Sequence, residues 1–87
     1  MDIRQQFGCI IRDIRTGKGL AREELAFRAG MSVPYLSNIE RGRSSPSLSL
    51  MADLARALEV PLVELVKDIL LDDAVTKATD RKRPKDE

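Results

Sequence analysis

The chain has 87 residues, 43% hydrophobic, 33% charged and only 3% aromatic, with a net charge of +1. That length supports one small domain, or one domain with a tail, and a monomer would be marginal because only about 60–65% of the unfolded chain's surface can be buried. The balanced charge excludes a histone-like polycation and an acidic disordered chain, the absence of histidine removes His-dependent triads and most zinc enzymes, and the lone Cys9 excludes an internal disulfide and a cysteine-based zinc site.

The first predicted element is a helix over roughly residues 3–15. Ile3, Phe7, Ile10, Ile11 and Ile14 recur at helical spacing and form one apolar stripe, and Gly17 and Gly19 stop it. A short second helix follows, about Arg22 to Ala29. Glu23 and Glu24 sit in its first turn, where the positive end of the helix dipole favours them, and Gly30 ends it. Ser32 can cap a third helix, over residues 33–41, whose first turn tolerates Pro34 because early amides have no intrahelical acceptor. Arg43-Ser44-Ser45-Pro46 reads as a loop. Ser47 then caps a fourth helix carrying Leu48, Met51, Leu54, Ala55 and Leu58, broken at Val60-Pro61. A fifth helix is predicted from Pro61 or Leu62 to near Leu71, and residues 72–87 read as a polar, largely disordered tail.

No run of alternating residues signals a strand, so the fold class is all-α, with one domain over residues 1–71. No apolar run approaches the 18 or so residues of a membrane span, and Met1-Asp2-Ile3-Arg4-Gln5 does not resemble a secretory signal. These features set the expectation of a soluble cytoplasmic protein.

Two short helices joined by Ala29-Gly30-Met31-Ser32 fit a helix-turn-helix. The wider string is more specific. Leu20-Ala21-Arg22-Glu23-Glu24-Leu25-Ala26, Ala29-Gly30-Met31-Ser32, Tyr35-Leu36-Ser37-Asn38-Ile39-Glu40-Arg41-Gly42, Pro46-Ser47-Leu48 and Leu54-Ala55-Arg56-Ala57-Leu58 follow one another at fixed spacing. This order resembles the Xre family of phage-repressor-like helix-turn-helix DNA-binding proteins over roughly residues 3–70, Gly8 and Arg15 included. The resemblance implies a five-helix domain acting as a transcriptional regulator, and an Arg15–Glu40 ion pair that ties the first helix to the third.

In such a motif the second helix of the pair lies in the major groove. That nominates Val33, Pro34, Ser37, Asn38 and Arg41 for contact with bases. Asn can bond adenine through two edges, whereas Val33 and Pro34 offer only apolar contact to thymine methyls, so DNA shape carries part of the selectivity. Phosphate contacts are expected from Arg22 at the start of the second helix, from the Tyr35 hydroxyl, and from Arg43, Ser44, Ser45 and Ser47 around the amino end of the fourth helix. Residues 4–43 carry eight Arg or Lys against four acids, and residues 44–71 carry two against four. One end is therefore basic and the other acidic, as suits a protein with one side on DNA. Cys9, beside the apolar stripe, reads as a small buried or half-buried hydrophobe.

Three positions depart from the family pattern. Ala21 stands where Ser or Thr usually caps the second helix, Glu59 replaces a Gly after the fourth, and Pro61 replaces a polar cap on the fifth. The apolar excess in Leu62, Val63, Leu65, Val66, Ile69, Leu70 and Leu71 exceeds what one buried stripe needs, so Val63, Val66, Ile69 and Leu70 are expected to form a homodimer interface. Double-stranded DNA and a second copy are the expected partners; no cofactor, metal, small-molecule ligand or catalytic activity is indicated. A competing reading is a protein-interaction module, or an antitoxin-like partner protein, that retains the fold.

Overall fold

Asp2 opens the first helix, α1 (Ile3–Gly17). Its carboxylate accepts the Gln5 backbone N–H at 2.9 Å while the Gln5 side chain accepts the Asp2 N–H at 3.1 Å, a reciprocal cap. The computed structural model describes residues 1–71, and among them every regular element is helical. After α1 come α2 (Arg22–Ala29), α3 (Val33–Glu40), α4 (Leu48–Leu58) and a single 3-10 turn, Leu62–Leu65. The predicted tail, including the Arg81-Lys82-Arg83 run, lies outside the described residues.

Each boundary has a local cause. Ser32 and Ser47 cap α3 and α4 by accepting the N–H groups of Tyr35 and Leu50, each at 3.2 Å. Ala21 offers α2 no such bond. Gly30 ends α2 in the left-handed conformation at φ 72°. Glu59 does the same for α4 at φ 59°, the one non-glycine residue with positive φ among those described.

The core is aliphatic. Ile11, Leu25, Leu36, Ile39, Leu54, Leu58 and Leu65 are fully buried, drawn from all four helices and the 3-10 turn. Phe7 joins them, Tyr35 packs at the edge, and Phe27 stands in solvent at 84% exposure. Two glycines set how closely α1 approaches α3. A Cβ on Gly8 would collide with the carbonyl oxygens of Ile39 and Glu40, the latter at 2.6 Å. A Cβ on Gly42, at φ 75°, would stand 2.8 Å from the Gln5 Cα. The C-terminal end of α3 is thus held directly against the backbone of α1.

The predicted fifth helix is not there. Residues 62–65 make one 3-10 turn and residues 66–68 continue as hydrogen-bonded turns, with the Lys67 N–H donating to the Val63 carbonyl at 2.8 Å and the Ile69 N–H to the Val66 carbonyl at 3.1 Å, but no regular α-helix forms. Val63, Val66 and Ile69 are β-branched, which slightly disfavours the α-helix, and Pro61 provides no side-chain cap. A different bond fixes the segment. The Gln6 side chain donates to the Leu70 carbonyl at 3.1 Å and accepts the Leu70 N–H at 3.0 Å. A single carboxamide on α1 thereby satisfies both backbone groups of Leu70, as a neighbouring strand would.

Candidate nucleic-acid interface

The turn Gly30-Met31-Ser32 joins α2 to α3, and α3 packs against both α1 and α2. Leu36, Ile39 and Glu40 face inward and are buried; Pro34 and Arg41 are exposed, and Ser37 and Asn38 half-buried. Val33 and Tyr35 are half-buried and pack against the core. Of the five residues nominated for base contact, Pro34, Ser37, Asn38 and Arg41 therefore share the outer side of α3, with Val33 partly withdrawn.

Behind this surface lies a buried charge cluster. The Arg15 guanidinium donates to both Glu40 carboxylate oxygens, at 2.7 and 3.1 Å, and to the Leu20 carbonyl at 2.9 Å. Both side chains are almost fully enclosed. Glu40 is the last residue of α3, so this forked pair fixes that end of the helix to α1. A second guanidinium shares the same carboxylate: Arg22 Nε donates to Glu40 Oε1 at 3.1 Å with its side chain 38% exposed. The sequence reading placed Arg22 at the rim for phosphate and missed this bond. Arg22 begins α2 and Glu40 ends α3, a pairing of helix termini that no local spacing signals. Two cations on one anion leave the cluster with a surplus positive charge beside the surface.

Arg41 and Arg43 flank Gly42, where the chain leaves α3. The Arg43 N–H donates to the Asn38 carbonyl at 2.9 Å, closing the helix end, and the Arg43 side chain remains exposed. Ser44 is half-buried, Ser45 and Ser47 exposed. The Ser47 hydroxyl oxygen accepts the cap bond, which leaves its proton free beside the first amides of α4. The surface thus joins neutral hydrogen-bonding side chains along α3 to a rim of guanidinium, hydroxyl and open helix amides, donors matched to anionic oxygens. Among the described residues no group of three His, Cys, Asp or Glu side chains gathers as a metal site would. No helix among them is long and apolar enough to cross a membrane.

Residues 11–65 match the helix-turn-helix family HTH_3. The chain belongs to that family. It is 46% identical over 66 residues to the HTH-type transcriptional regulator y4dJ of Sinorhizobium fredii, covering 76% of this chain and 86% of the relative. Among solved structures it is similar to the restriction–modification controller protein C.AhdI of Aeromonas hydrophila, at 41% identity and a TM-score of 0.69, covering 70% of this chain and 92% of that one. It is also similar to the clp gene regulator ClgR of Corynebacterium glutamicum, at 34% identity and a TM-score of 0.73, covering 75% of this chain and 69% of that one. These relatives are described as a transcriptional regulator, a restriction–modification controller and a gene regulator, and this chain carries the helix-turn-helix DNA-binding domain of a transcriptional regulator.

The residues nominated for a dimer interface fall into two groups. Val63, Val66 and Leu70 are exposed, together with Leu71, whereas Ile69 is half-buried and packs against the chain's own core. The expectation that one face of a helix would present them is corrected: an irregular segment held by Gln6 does so.

Proposed function

We propose that this chain is a sequence-specific transcriptional regulator that binds a pseudopalindromic operator in double-stranded DNA as a homodimer, with residues 33–41 in the major groove. The observation that carries this reading is the mounting of α3. Its polar side faces out, its last residue is clamped by Arg15 and Arg22, and the Gly8 and Gly42 contacts fix its distance from α1. Such a rigid mount suits a helix that must enter a groove in one orientation.

In this reading Ser37, Asn38 and Arg41 meet base edges, Pro34 and the exposed part of Val33 meet methyl groups, and Asn38 is the strongest discriminator. Arg22, Arg43, Tyr35, Ser44, Ser45 and Ser47 hold the two flanking backbones. Arg22 does so as a group already oriented by Glu40. Twofold symmetry through the 63–71 segment sets two copies of α3 about 34–36 Å apart, one turn of the duplex.

Selection of bound sequences from a random duplex pool tests the reading. A pseudopalindrome with half-sites one turn apart is the expected outcome. Binding to the selected site should weaken with salt, and Arg43→Ala should reduce the slope of log K against log salt by about 0.9. A chain that shows no salt-dependent binding to any duplex is a protein-interaction module instead.

A further inference from the structure

The amino end of α3 has little left with which to form a hydrogen bond. Ser32 Oγ accepts the Tyr35 N–H at 3.2 Å, and the Ser32 carbonyl accepts the Leu36 N–H at 3.1 Å. Pro34, the second residue of the helix, has no N–H at all. The Val33 N–H is the one backbone donor of this turn that bonds to none of the described residues. The outward side chains are apolar too: the Pro34 ring is exposed, and Val33 is half-buried with its inner side on the core. Ser37 and Asn38 bring the first polar side chains on that side, three and four residues beyond Pro34 and so next to it on the helix surface. The surface of α3 therefore begins apolar and becomes polar one turn later.

Base edges in the major groove offer one apolar group, the C5 methyl of thymine; the other groups there are donors and acceptors. An apolar tip that strips water from a donor or acceptor returns no bond to it, whereas against a methyl group nothing is left unpaired. We infer that Pro34, with the exposed edge of Val33, selects a pyrimidine by its C5 methyl alone, and that the chain therefore reads 5-methylcytosine as it reads thymine. In the groove thymine and cytosine differ in two places, the C5 substituent and the exocyclic group at C4, an acceptor in thymine and a donor in cytosine. Telling those C4 groups apart takes a hydrogen-bonding partner, and neither Pro34 nor the Val33 side chain supplies one. The two donors that remain, the Val33 N–H and the Ser32 hydroxyl proton, sit at the very start of the helix and go to phosphate oxygens of the groove wall. Methylation of cytosine at C5 thus changes the affinity of a site that carries cytosine at this position, with base pairing unaltered. This inference rests on the groove placement of α3 proposed above.

Base-analogue substitution in the duplex selected from the random pool tests it. Each thymine is replaced in turn by deoxyuridine, which pairs identically and lacks the methyl. One thymine per half-site should be sensitive, losing about fourfold in affinity, the worth of one buried methyl group. It should lie within one or two base pairs of the position whose preference Asn38→Ala relaxes, since a helical turn rises about 5.4 Å and a base-pair step about 3.4 Å. At that position cytosine should bind about fourfold more weakly than thymine, or worse, and 5-methylcytosine should recover the affinity of thymine to within about twofold. Pro34→Ser should bring the ratio of thymine to deoxyuridine affinities close to one with helicity unchanged, while Arg43→Ala lowers both affinities and keeps their ratio. If the duplex is bound but no thymine is sensitive, the DNA reading stands and the methyl contact is overturned. If a thymine is sensitive but 5-methylcytosine binds no better than cytosine, the C4 group is being read and the equivalence is overturned. If Pro34→Ser keeps the parental ratio, the assignment to Pro34 is overturned. A chain that binds no duplex overturns this inference together with the regulator reading.

Discussion

Without its carboxylate at position 40, the Arg15 guanidinium would keep only the Leu20 carbonyl as a partner inside the core. Stranding a buried charge in this way costs about 3–5 kcal/mol, a large share of the 5–15 kcal/mol of a typical domain. Glu40→Gln should therefore shift the urea midpoint strongly downward with the slope unchanged. Arg22 is different, being more than a third exposed and only the second partner of Glu40. Arg22→Ala should lower stability by less than about 1 kcal/mol while weakening binding to all duplexes; Arg43→Ala, at an exposed side chain that bonds to none of the described residues, should weaken binding and leave stability alone. Comparing urea midpoints with salt-dependent binding for the two variants separates the roles. At the end of α4, Glu59 holds a backbone conformation that costs an L-residue roughly 1–2 kcal/mol. Part of that is returned by the greater freedom of an unfolded glycine, so Glu59→Gly should stabilise by about 0.5–1 kcal/mol. A thermal scan would register this as a rise of a few degrees in Tm.

Among the elements, α1 has a chemical weak point at its start. The Gln5 backbone N–H, followed by Arg4, holds the Asp2 carboxyl below its ordinary value of 3.8. A carboxyl lowered on folding contributes stability above its unfolded value, and that contribution disappears as pH falls through the folded one. Acid titration should therefore fray the first turn of α1 in the parent. Asp2→Asn, which still caps but does not titrate, should lose this component of the pH dependence in amide exchange over residues 3–6. The helices themselves were legible because their causes are local: Ile3, Phe7, Ile11 and Ile14 repeat at helical spacing, and Ser32, Ser47 and Gly30 mark boundaries by their own backbone chemistry. The last element was misread because Leu62, Leu65 and Ile69 also fit a helical row. The competing factors were β-branching and the Gln6–Leu70 bonds, which join residues 64 positions apart and leave no trace in either neighbourhood. The outer side of α3 could be read from the helix-turn-helix resemblance, which also implied the Arg15–Glu40 pair. The Arg22–Glu40 bond could not, since it depends on how two helix ends meet.

For the whole molecule, the proposed division of labour separates a basic reading end from an apolar, acidic end. Val66→Glu places a charge on the exposed apolar segment and should turn a dimer into a monomer of about 9.7 kDa in sedimentation. Operator affinity should fall sharply, while contact with a single half-site should persist at the weak level of one recognition helix. A Val66→Glu chain with parental mass and parental operator affinity would remove the dimer from the reading.

The scarcity of aromatic residues has a practical consequence. The chain holds one tyrosine and no tryptophan. That tyrosine, Tyr35, sits in the first turn of α3 and is half-buried, with its ring against the core at the edge of the proposed reading surface. The protein's ultraviolet emission is therefore a signal from one place. A titration with duplex followed at that wavelength watches the reading helix directly, without a label and without interference from the 63–71 segment. Dilution of the free protein through its association range should leave the same emission nearly still. Groove entry and self-association can thus be followed separately in one unmodified chain.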